Sequence, residues 1–181
     1  MKFSRAEISD IIIIEPDVYS DERGYFFESF KQNDLNHFLG YDVKFCQDNE
    51  SKSTYGVLRG LHYQEPPFAQ AKLVRVIHGS VLDIAVDIRK DSITFGKHFE
   101  IELNEENKKQ LFIPKGFAHG FVTLSETAIF SYKVDNYYKK EFEKGIAFKD
   151  SALGINWRLN QSQLKISFKD SSQRSLKALK E

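Results

Sequence analysis

The strongest constraint on the fold is a series of short segments in which apolar and polar residues alternate with a period of two. In Val81–Ile88, leucine, isoleucine and valine fill one set of alternate positions, and Asp83 and Asp87 fall on the opposite face. A period of two places alternate side chains on opposite faces of a β-strand. We therefore predict a strand whose second face lines a polar interior or pairs with basic neighbours.

Similar alternating or β-branched segments predict many further strands. They are Ile11–Ile14, Gly24–Phe30, Val43–Asn49, Gly56–Gln64, Leu73–His78, Lys97–Leu103, Gln110–Ile113, Gly120–Thr123, Ala128–Val134 and Gly145–Phe148. Helical spacing occurs at Lys31–Gly40, and Ser172–Glu181 is a second candidate helix. Many short strands with few helices indicate an all-β fold, a cupin-type jelly-roll β-barrel.

The bulk composition indicates one domain and argues against several kinds of partner. The 181 residues fit a single domain spanning 1–181. The 26 basic and 26 acidic residues balance, so we expect no nucleic-acid or membrane partner, because both favour a basic surface. Cys46 is the only cysteine and no apolar leader follows Met1, so we expect a cytoplasmic protein.

The segment Gly56–Gln64 places Arg59 and His62 among apolar residues, with a tight turn predicted at Gly60, and the next strand carries Lys72. An imidazole titrates near neutral pH and can act as a general base. Lysine and arginine can hold an oxyanion or a phosphate. We therefore predict an enzyme pocket inside a β-barrel for an anionic substrate. The alternatives are a hydrogen-bonded core histidine and cations that reach solvent.

Further residues extend this candidate chemistry. Asp170 is a candidate acceptor that orients His62. Tyr132 is a candidate phenol that exchanges a proton across the substrate from the base, or an aromatic that fills the core. The pair Tyr137-Tyr138 could stack on a flat ring or form a surface turn, and Arg23 has the same two interpretations as Arg59.

A metal site is not predicted. His119 lies in Ile113–Phe121, which is similar to the Pro-x-Gly-x-x-x-His region of metal-binding cupins. Those sites also need a close His-x-His pair and a glutamate, where this chain has Leu61-His62-Tyr63-Gln64. Glycine-rich phosphate loops and a Gly-x-Ser-x-Gly motif are also missing from the sequence, so a Rossmann dehydrogenase, a P-loop enzyme and a serine hydrolase are not indicated.

Taken together, these segments resemble the dTDP-4-dehydrorhamnose 3,5-epimerase family over nearly the whole chain. The stretches that carry the resemblance are Asp21–Glu28, Gln47–Asn49, Val57–Gln64, Ala69–Arg75, Ala85–Arg89, Phe112–Phe121, Tyr132-Lys133 and Lys169-Asp170. The resemblance implies a cupin-type jelly roll, a homodimer and no metal or organic cofactor. It also implies a nucleoside-diphosphate 4-keto-6-deoxy sugar as substrate, inverted at C3 and C5.

The resemblance also implies a role for each matched residue. His62 corresponds to the general base and Asp170 to its partner. Lys72 corresponds to the cation beside the 4-oxygen, and Tyr132 to the acid on the opposite face. Tyr138 matches a ring that stacks on the nucleotide base. The other substrate-binding positions correspond to Arg23, Glu28, Gln47, Asn49, Arg59, His119, Glu143 and Lys169.

The chain departs from the family pattern after Tyr132. The departures are Asp135, Lys139-Lys140, Phe148-Lys149 and Arg158, which we interpret as lying near the nucleotide-recognition end. They leave open a GDP-linked 4-keto-6-deoxyheptose substrate, as in capsule-building relatives, and inversion at C3 alone.

Two further classes of function are weighed against an epimerase. One is a non-catalytic cupin module that binds a sugar nucleotide, which would need no base facing an acid. The other is a metal-dependent oxygenase, which the missing His-x-His pair disfavours. A relative that performs 3,4-ketoisomerisation is disfavoured by the pair His62 and Tyr132.

Overall fold

The fold is built from short strands, as seen in a computed structural model that describes residues 1–179. The strands are β1 (Lys2–Arg5), β2 (Ile12–Glu15), β3 (Tyr19–Asp21), β4 (Gly24–Phe26), β5 (Gln47–Thr54), β6 (Val57–Gln64), β7 (Lys72–His78), β8 (Ser80–Asp87), β9 (His98–Asn104), β10 (Gln110–Ile113), β11 (Phe117–Thr123), β12 (Thr127–Val134), β13 (Glu143–Gly145) and β14 (Lys165–Ile166). The helices are α1 (Gln32–Leu39) and α2 (Phe168–Ser171), with 3-10 turns at Lys140–Phe142, Gln161–Gln163 and Leu176–Leu179. No helix within the described range is long and apolar enough to cross a bilayer.

Two sheets form the body of the molecule. The first has the strand order β1-β2-β10-β7-β12-β5, and the second has the order β13-β6-β11-β8-β9 with β14 added parallel to β6. Strands β3 and β4 form a separate hairpin. Apart from β14, the paired strands are antiparallel, and several neighbours, such as β5 and β12 or β6 and β11, come from distant parts of the chain. The result is the predicted cupin-type jelly roll.

The core explains why both faces of the central strands are apolar. One face of β8 contributes Val81 and Ala85 to a cluster between the sheets, together with Val74 of β7 and Phe130 of β12. The other face of β8 packs outward on a second cluster that includes Trp157. The predicted assignment of β8 residues to two faces is therefore confirmed, and Asp83 lies on the inner face with Val81 and Ala85.

Some predicted elements differ in extent from those observed. The strand predicted at Val43–Asn49 begins later, as β5, because Val43 packs in a third cluster beside α1 rather than in a ladder. The strand predicted at Gly24–Phe30 ends at Phe26, and the one predicted at Gly145–Phe148 is displaced to β13. Within Ser172–Glu181 the structure has the turn Leu176–Leu179 instead of a longer helix, and residues 180 and 181 lie outside the described range.

The turn predicted at Gly60 is wrong, because Gly60 lies inside β6. Its φ is +131°, and a Cβ built there would lie 2.5 Å from the Cα of Gly120 on β11. Glycine is needed at Gly60 for this close approach and this backbone conformation. The pairing of β6 with β11 shifts register between His119 and Phe121 at this point. The irregularity lies two residues before His62 and so belongs to the architecture of the site.

Candidate active site

A cleft opens between the two sheets. It consists of two adjacent cavities of about 390 and 310 Å³, and His62, Lys72 and Tyr132 line both of them. His62 comes from β6 of the second sheet, whereas Lys72 and Tyr132 come from β7 and β12 of the first. The three residues predicted to carry proton chemistry are therefore brought together.

The imidazole of His62 is held by a buried carboxylate. Its Nε2 lies 2.5 Å from Oδ1 of Asp170, which is only 4% exposed. The backbone N–H of Asp170 donates to Oγ of Ser167, the residue that caps α2, at 3.1 Å. Burial alone would raise the pKa of Asp170, but the hydrogen bond from His62 and the adjoining donors hold this pKa below its usual value. An anionic Asp170 accepts the proton on Nε2 and leaves the other ring nitrogen as a proton acceptor.

Lys72 and Tyr132 project from the same face of neighbouring strands. In the pairing of β7 with β12, Tyr132 lies opposite Val74 and Lys72 lies opposite Val134. Burial lowers the pKa of Lys72 to about 8, against the opposing effect of the carboxylates of Asp83 and Glu143. Burial also raises the pKa of Tyr132. Near neutral pH the lysine therefore keeps its positive charge and the phenol keeps its proton.

A second cluster forms the outer wall of the cleft around Glu143. Its Oε2 accepts from the hydroxyl of Tyr138 at 2.7 Å and from Nζ of Lys169 at 2.6 Å. Burial would raise the pKa of Glu143, but these two contacts hold it below its usual value. The same carboxylate raises the pKa of Tyr138 to about 12, so this ring stays neutral.

The amide side chains of Gln47 and Asn49 line the wall beside Tyr138. Nε2 of Gln47 donates to Oδ1 of Asn49 at 2.8 Å, and Oε1 of Gln47 accepts from the backbone N–H of Tyr138 at 3.2 Å. Both residues lie on β5, the edge strand of the first sheet. The cluster thus fixes the position of Tyr138 relative to the cleft.

Arg59 and His119 line the opposite end of the cleft. The guanidinium of Arg59 donates to Oγ of Ser53 at 3.0 Å and to a backbone carbonyl oxygen at 3.3 Å, both neutral acceptors. Nε2 of His119 donates to Oδ2 of Asp83 at 2.8 Å, and both residues are buried. The prediction that Asp83 and Asp87 line a polar interior or pair with basic residues is confirmed, since Asp87 pairs with Arg89 at 2.7 Å.

Arg23 and Glu28 are not brought into this cleft within one chain. Arg23 is at the β3–β4 turn, where it pairs with Asp21 at 2.5 Å and lines a separate cavity. Glu28 follows the hairpin and is exposed. The reason is topological, because the hairpin stands apart from both sheets.

Several lining residues were missed by the sequence analysis. They are Ser51, Gln64, Gln70, Lys165 and Ser167. The alternation of β6 could have indicated Gln64, because it lies two residues after His62. Lys165 gives no such signal, since β14 has only two residues. Among residues 1–179 no group of three or more His, Cys, Asp or Glu side chains is arranged to hold a metal ion.

The residues that depart from the family pattern have different surroundings in the fold. None of them lines either cavity of the cleft. Asp135 pairs with Lys115 at 2.9 Å, and Arg158 pairs with glutamates on β9. Phe148 is buried in the cluster outside the second sheet.

The fold and the site together indicate a class of cupin-type enzyme. In this class a histidine–aspartate pair faces a lysine and a tyrosine inside a jelly roll. The family model for dTDP-4-dehydrorhamnose 3,5-epimerase matches residues 5–178. The dTDP-4-dehydrorhamnose 3,5-epimerase of Escherichia coli K12 is 53% identical over 157 residues, which is 87% of this chain and 85% of the relative.

Solved structures give the same result. The crystal structure of dTDP-4-dehydrorhamnose 3,5-epimerase from Elizabethkingia anophelis has a TM-score of 0.95 at 50% identity, covering 98% of this chain and 97% of that one. A Legionella pneumophila epimerase in complex with dTDP-4-keto-L-rhamnose has a TM-score of 0.94 at 47% identity, covering 97% and 93%. The chain belongs to the dTDP-4-dehydrorhamnose 3,5-epimerase family and is an isomerase.

Proposed function

We propose that this chain inverts C3 and C5 of a dTDP-linked 4-keto-6-deoxy sugar of the dTDP-4-dehydro-6-deoxyglucose type, without a metal or organic cofactor. The observation that carries the proposal is that His62 and Tyr132 line one cleft from facing sheets, with Lys72 on the strand beside Tyr132. Inversion of a carbon needs a base on one face of the sugar ring and a proton donor on the other. The cleft supplies both groups.

The ketone at C4 makes this chemistry accessible to ordinary side chains. Loss of a proton from C3 or from C5 gives an enolate on the same oxygen, so one base can serve both carbons. His62 takes the proton while the C–H electron pair moves to the 4-oxygen, where Lys72 holds the negative charge. A preorganised donor of this kind contributes about 3 kcal/mol to the transition state. The electrons then return to carbon as Tyr132 gives its proton to the opposite face, and exchange with solvent restores both groups.

We assign the remaining cleft residues to the nucleotide and the sugar. Within residues 1–179 the guanidinium of Arg59 donates to two neutral acceptors, so its charge is available to the diphosphate. Tyr138 stays a neutral ring and suits stacking on the base. We assign further polar contacts to Gln47, Asn49, His119, Glu143 and Lys169.

We assign Arg23 and Glu28 to the cleft of a second copy, in a homodimer. The β3–β4 hairpin exposes Tyr19, Tyr25 and Phe26 at 66%, 58% and 67%, and exposed apolar clusters often mark protein interfaces. A mixture of His62→Ala and Arg23→Ala chains tests this assignment, since a mixed dimer has one site with both native residues only if they act in trans. Recovery of activity on mixing inactive variants supports the dimer, and no recovery contradicts it.

We infer the nucleotide and the pathway from a relative with a bound ligand and from the residues that line the cleft. The Legionella relative binds a dTDP-linked 4-keto sugar, which supports dTDP rather than GDP. No departure from the family pattern lines the cleft, so the structure offers no observation in favour of a GDP-linked heptose. We place the chain, acting as a single catalytic domain, in cytoplasmic sugar-nucleotide synthesis for rhamnose and surface polysaccharide.

Solvent isotope exchange tests the proposed function. The protein is incubated in deuterated water with dTDP- or GDP-linked 4-keto-6-deoxy sugars, and mass spectrometry counts the deuterons gained. We expect a gain of two with the dTDP sugar, loss of exchange in His62→Ala, and no change in the control His37→Ala, whose side chain is exposed on α1. Exchange at the wild-type rate in His62→Ala, or wild-type protein that binds the sugar without exchange, contradicts an epimerase that uses this base.

A further inference from the structure

Asp83 is a buried carboxylate that the proposed reaction leaves unused. It is 0% exposed, and its Oδ2 accepts from His119 at 2.8 Å. Its other oxygen, Oδ1, is buried and has no hydrogen-bond partner among residues 1–179. A buried acceptor without a partner destabilises the folded state, and more so when it is charged. Such a group calls for a reason beyond packing.

Strand alternation directs Asp83 toward the same interior as Lys72. Lys72, Val74 and Val76 alternate along one face of β7, and the two valines pack in the cluster between the sheets. Asp83 shares its face of β8 with Val81 and Ala85, which pack in that same cluster. The ammonium and the carboxylate therefore project into one apolar space from facing sheets.

The other anions near Lys72 are already engaged. The titratable and charged groups that share the cleft with Lys72 are Arg59 and His62 on β6, His119 on β11, Tyr132 on β12, Tyr138 before β13, Glu143 on β13, Lys165 on β14, and Lys169 and Asp170 on α2. Glu143 accepts from Tyr138 and Lys169, and Asp170 accepts from His62. Among the described residues, Asp83 has the one carboxylate oxygen that is buried without a hydrogen-bond partner.

We propose that Asp83 is the buried counter-charge that keeps the Lys72 ammonium protonated, and so acts as a positioning residue for the enolate oxygen. The catalytic part of this inference rests on the proposed function, whereas the electrostatic part does not. Burial drives the pKa of Lys72 down to about 8, and Asp83 is the largest influence opposing that shift, ahead of Glu143. Removal of Asp83 would therefore lower the pKa of Lys72 further.

The electrostatic part is tested on ligand-free protein by NMR titration of the lysine side chains. The Lys72 signal is identified by its absence in Lys72→Arg. We expect Asp83→Asn to lower the pKa of Lys72 by about one unit or more, and the exposed control Asp91→Asn to leave it unchanged. An unchanged Lys72 titration in Asp83→Asn overturns the proposal. If Asp83→Asn does not fold, Asp83→Ser, which leaves room for water, takes its place.

The catalytic part is tested by the pH dependence of kcat/KM. In Asp83→Asn the alkaline limb should move to lower pH by the same shift, with circular dichroism confirming the fold. The double variant Asp83→Asn/Lys72→Arg should lose this shift, because a guanidinium stays protonated without help. A purely structural Asp83 would lower activity equally at all pH values, and that result overturns the assignment. Wild-type protein without epimerase activity would refute the proposed function and leave the NMR result to stand alone.

Discussion

A tight approach between β6 and β11 at Gly60 and Gly120 lies beside His62, and Gly120→Ala tests its importance. A Cβ at Gly120 would lie 2.7 Å from the carbonyl oxygen of Arg59 and 3.0 Å from the Cα of Gly60. Ordinary contact begins at 3.4 Å, so the strands must separate by about 0.7 Å at the oxygen. Both neighbours are backbone and cannot rotate away. The strain therefore moves the strand that carries Arg59 and His62 relative to the first sheet.

The expected losses can be estimated from this displacement. Overpacking of this kind costs about 1–3 kcal/mol, offset by about 0.4–1 kcal/mol because alanine restricts the unfolded chain. The net cost is therefore up to about 2.6 kcal/mol, and at about 2–4 °C per kcal/mol for a chain of this size Tm should fall by about 4 °C, and by no more than roughly 10 °C. Since a misplacement of about 1 Å can cost about 10²-fold in rate, kcat should fall by about one to two orders of magnitude at 25 °C, where the variant is still folded.

Gly145→Ala is the matched control. Gly145 lies on β13 opposite His62, and the atoms that its Cβ would meet belong to the side chain of Gln173, at 2.5 Å and beyond. A flexible side chain can move aside, so this variant should keep its Tm within about 2 °C and its rate within about threefold. Thermal unfolding and initial-rate assays compare the two variants. If Gly120→Ala behaves like Gly145→Ala, strand separation does not control the site.

Three further predictions concern single charges. Asp170→Asn should lower the free energy of unfolding in urea at pH 7. Because the folded-state pKa of Asp170 is depressed, its stabilisation is present above the unfolded value of about 3.9 and is lost as pH falls through the folded value, so the difference between variant and wild type should vanish in acid. Glu143→Gln should return the pKa of Tyr138 from about 12 toward 10, followed by phenolate absorbance. Lys165→Gln should raise KM by up to about fivefold with kcat unchanged, and Lys149→Gln, which is exposed outside the cleft, should not.

Strands with strong apolar patterns could be predicted, whereas strands defined mainly by pairing could not. Residues 110–113 and 81–87 have strong apolar patterns because these strands are packed on both faces. Their observed bounds match the prediction closely. Strand β5 is polar along its length, and its extent is set by eight residue pairs with β12 rather than by its own side chains. Edge strands of this kind carry little propensity signal.

The site shows the same division between local and long-range information. The motif around His62 predicted a base at this position, but its partner Asp170 lies 108 residues away, and only the fold determines that contact. Alternation placed Asp83 on an inner, polar face, yet its partner His119 comes from a different hairpin. The position of Arg23 depends on where the hairpin stands relative to the barrel, which no local pattern encodes.

The surroundings of the cleft have to meet two opposing demands on its charges. The rings of Phe121 and Phe130 stack at 4.3 Å and form an apolar floor against which Tyr132 packs. Burial raises the pKa of Tyr132, which keeps the phenol protonated, and lowers that of Lys72 to about 8, which leaves about ten charged lysines for each neutral one at pH 7. A lysine placed deeper among the aromatic rings would lose its charge. A lysine placed further out would act on the enolate through water, where the same charge gives far less electrostatic stabilisation. The floor and the buried carboxylate of Asp83 therefore have to be balanced against each other, and the alkaline limit of catalysis should respond to either one.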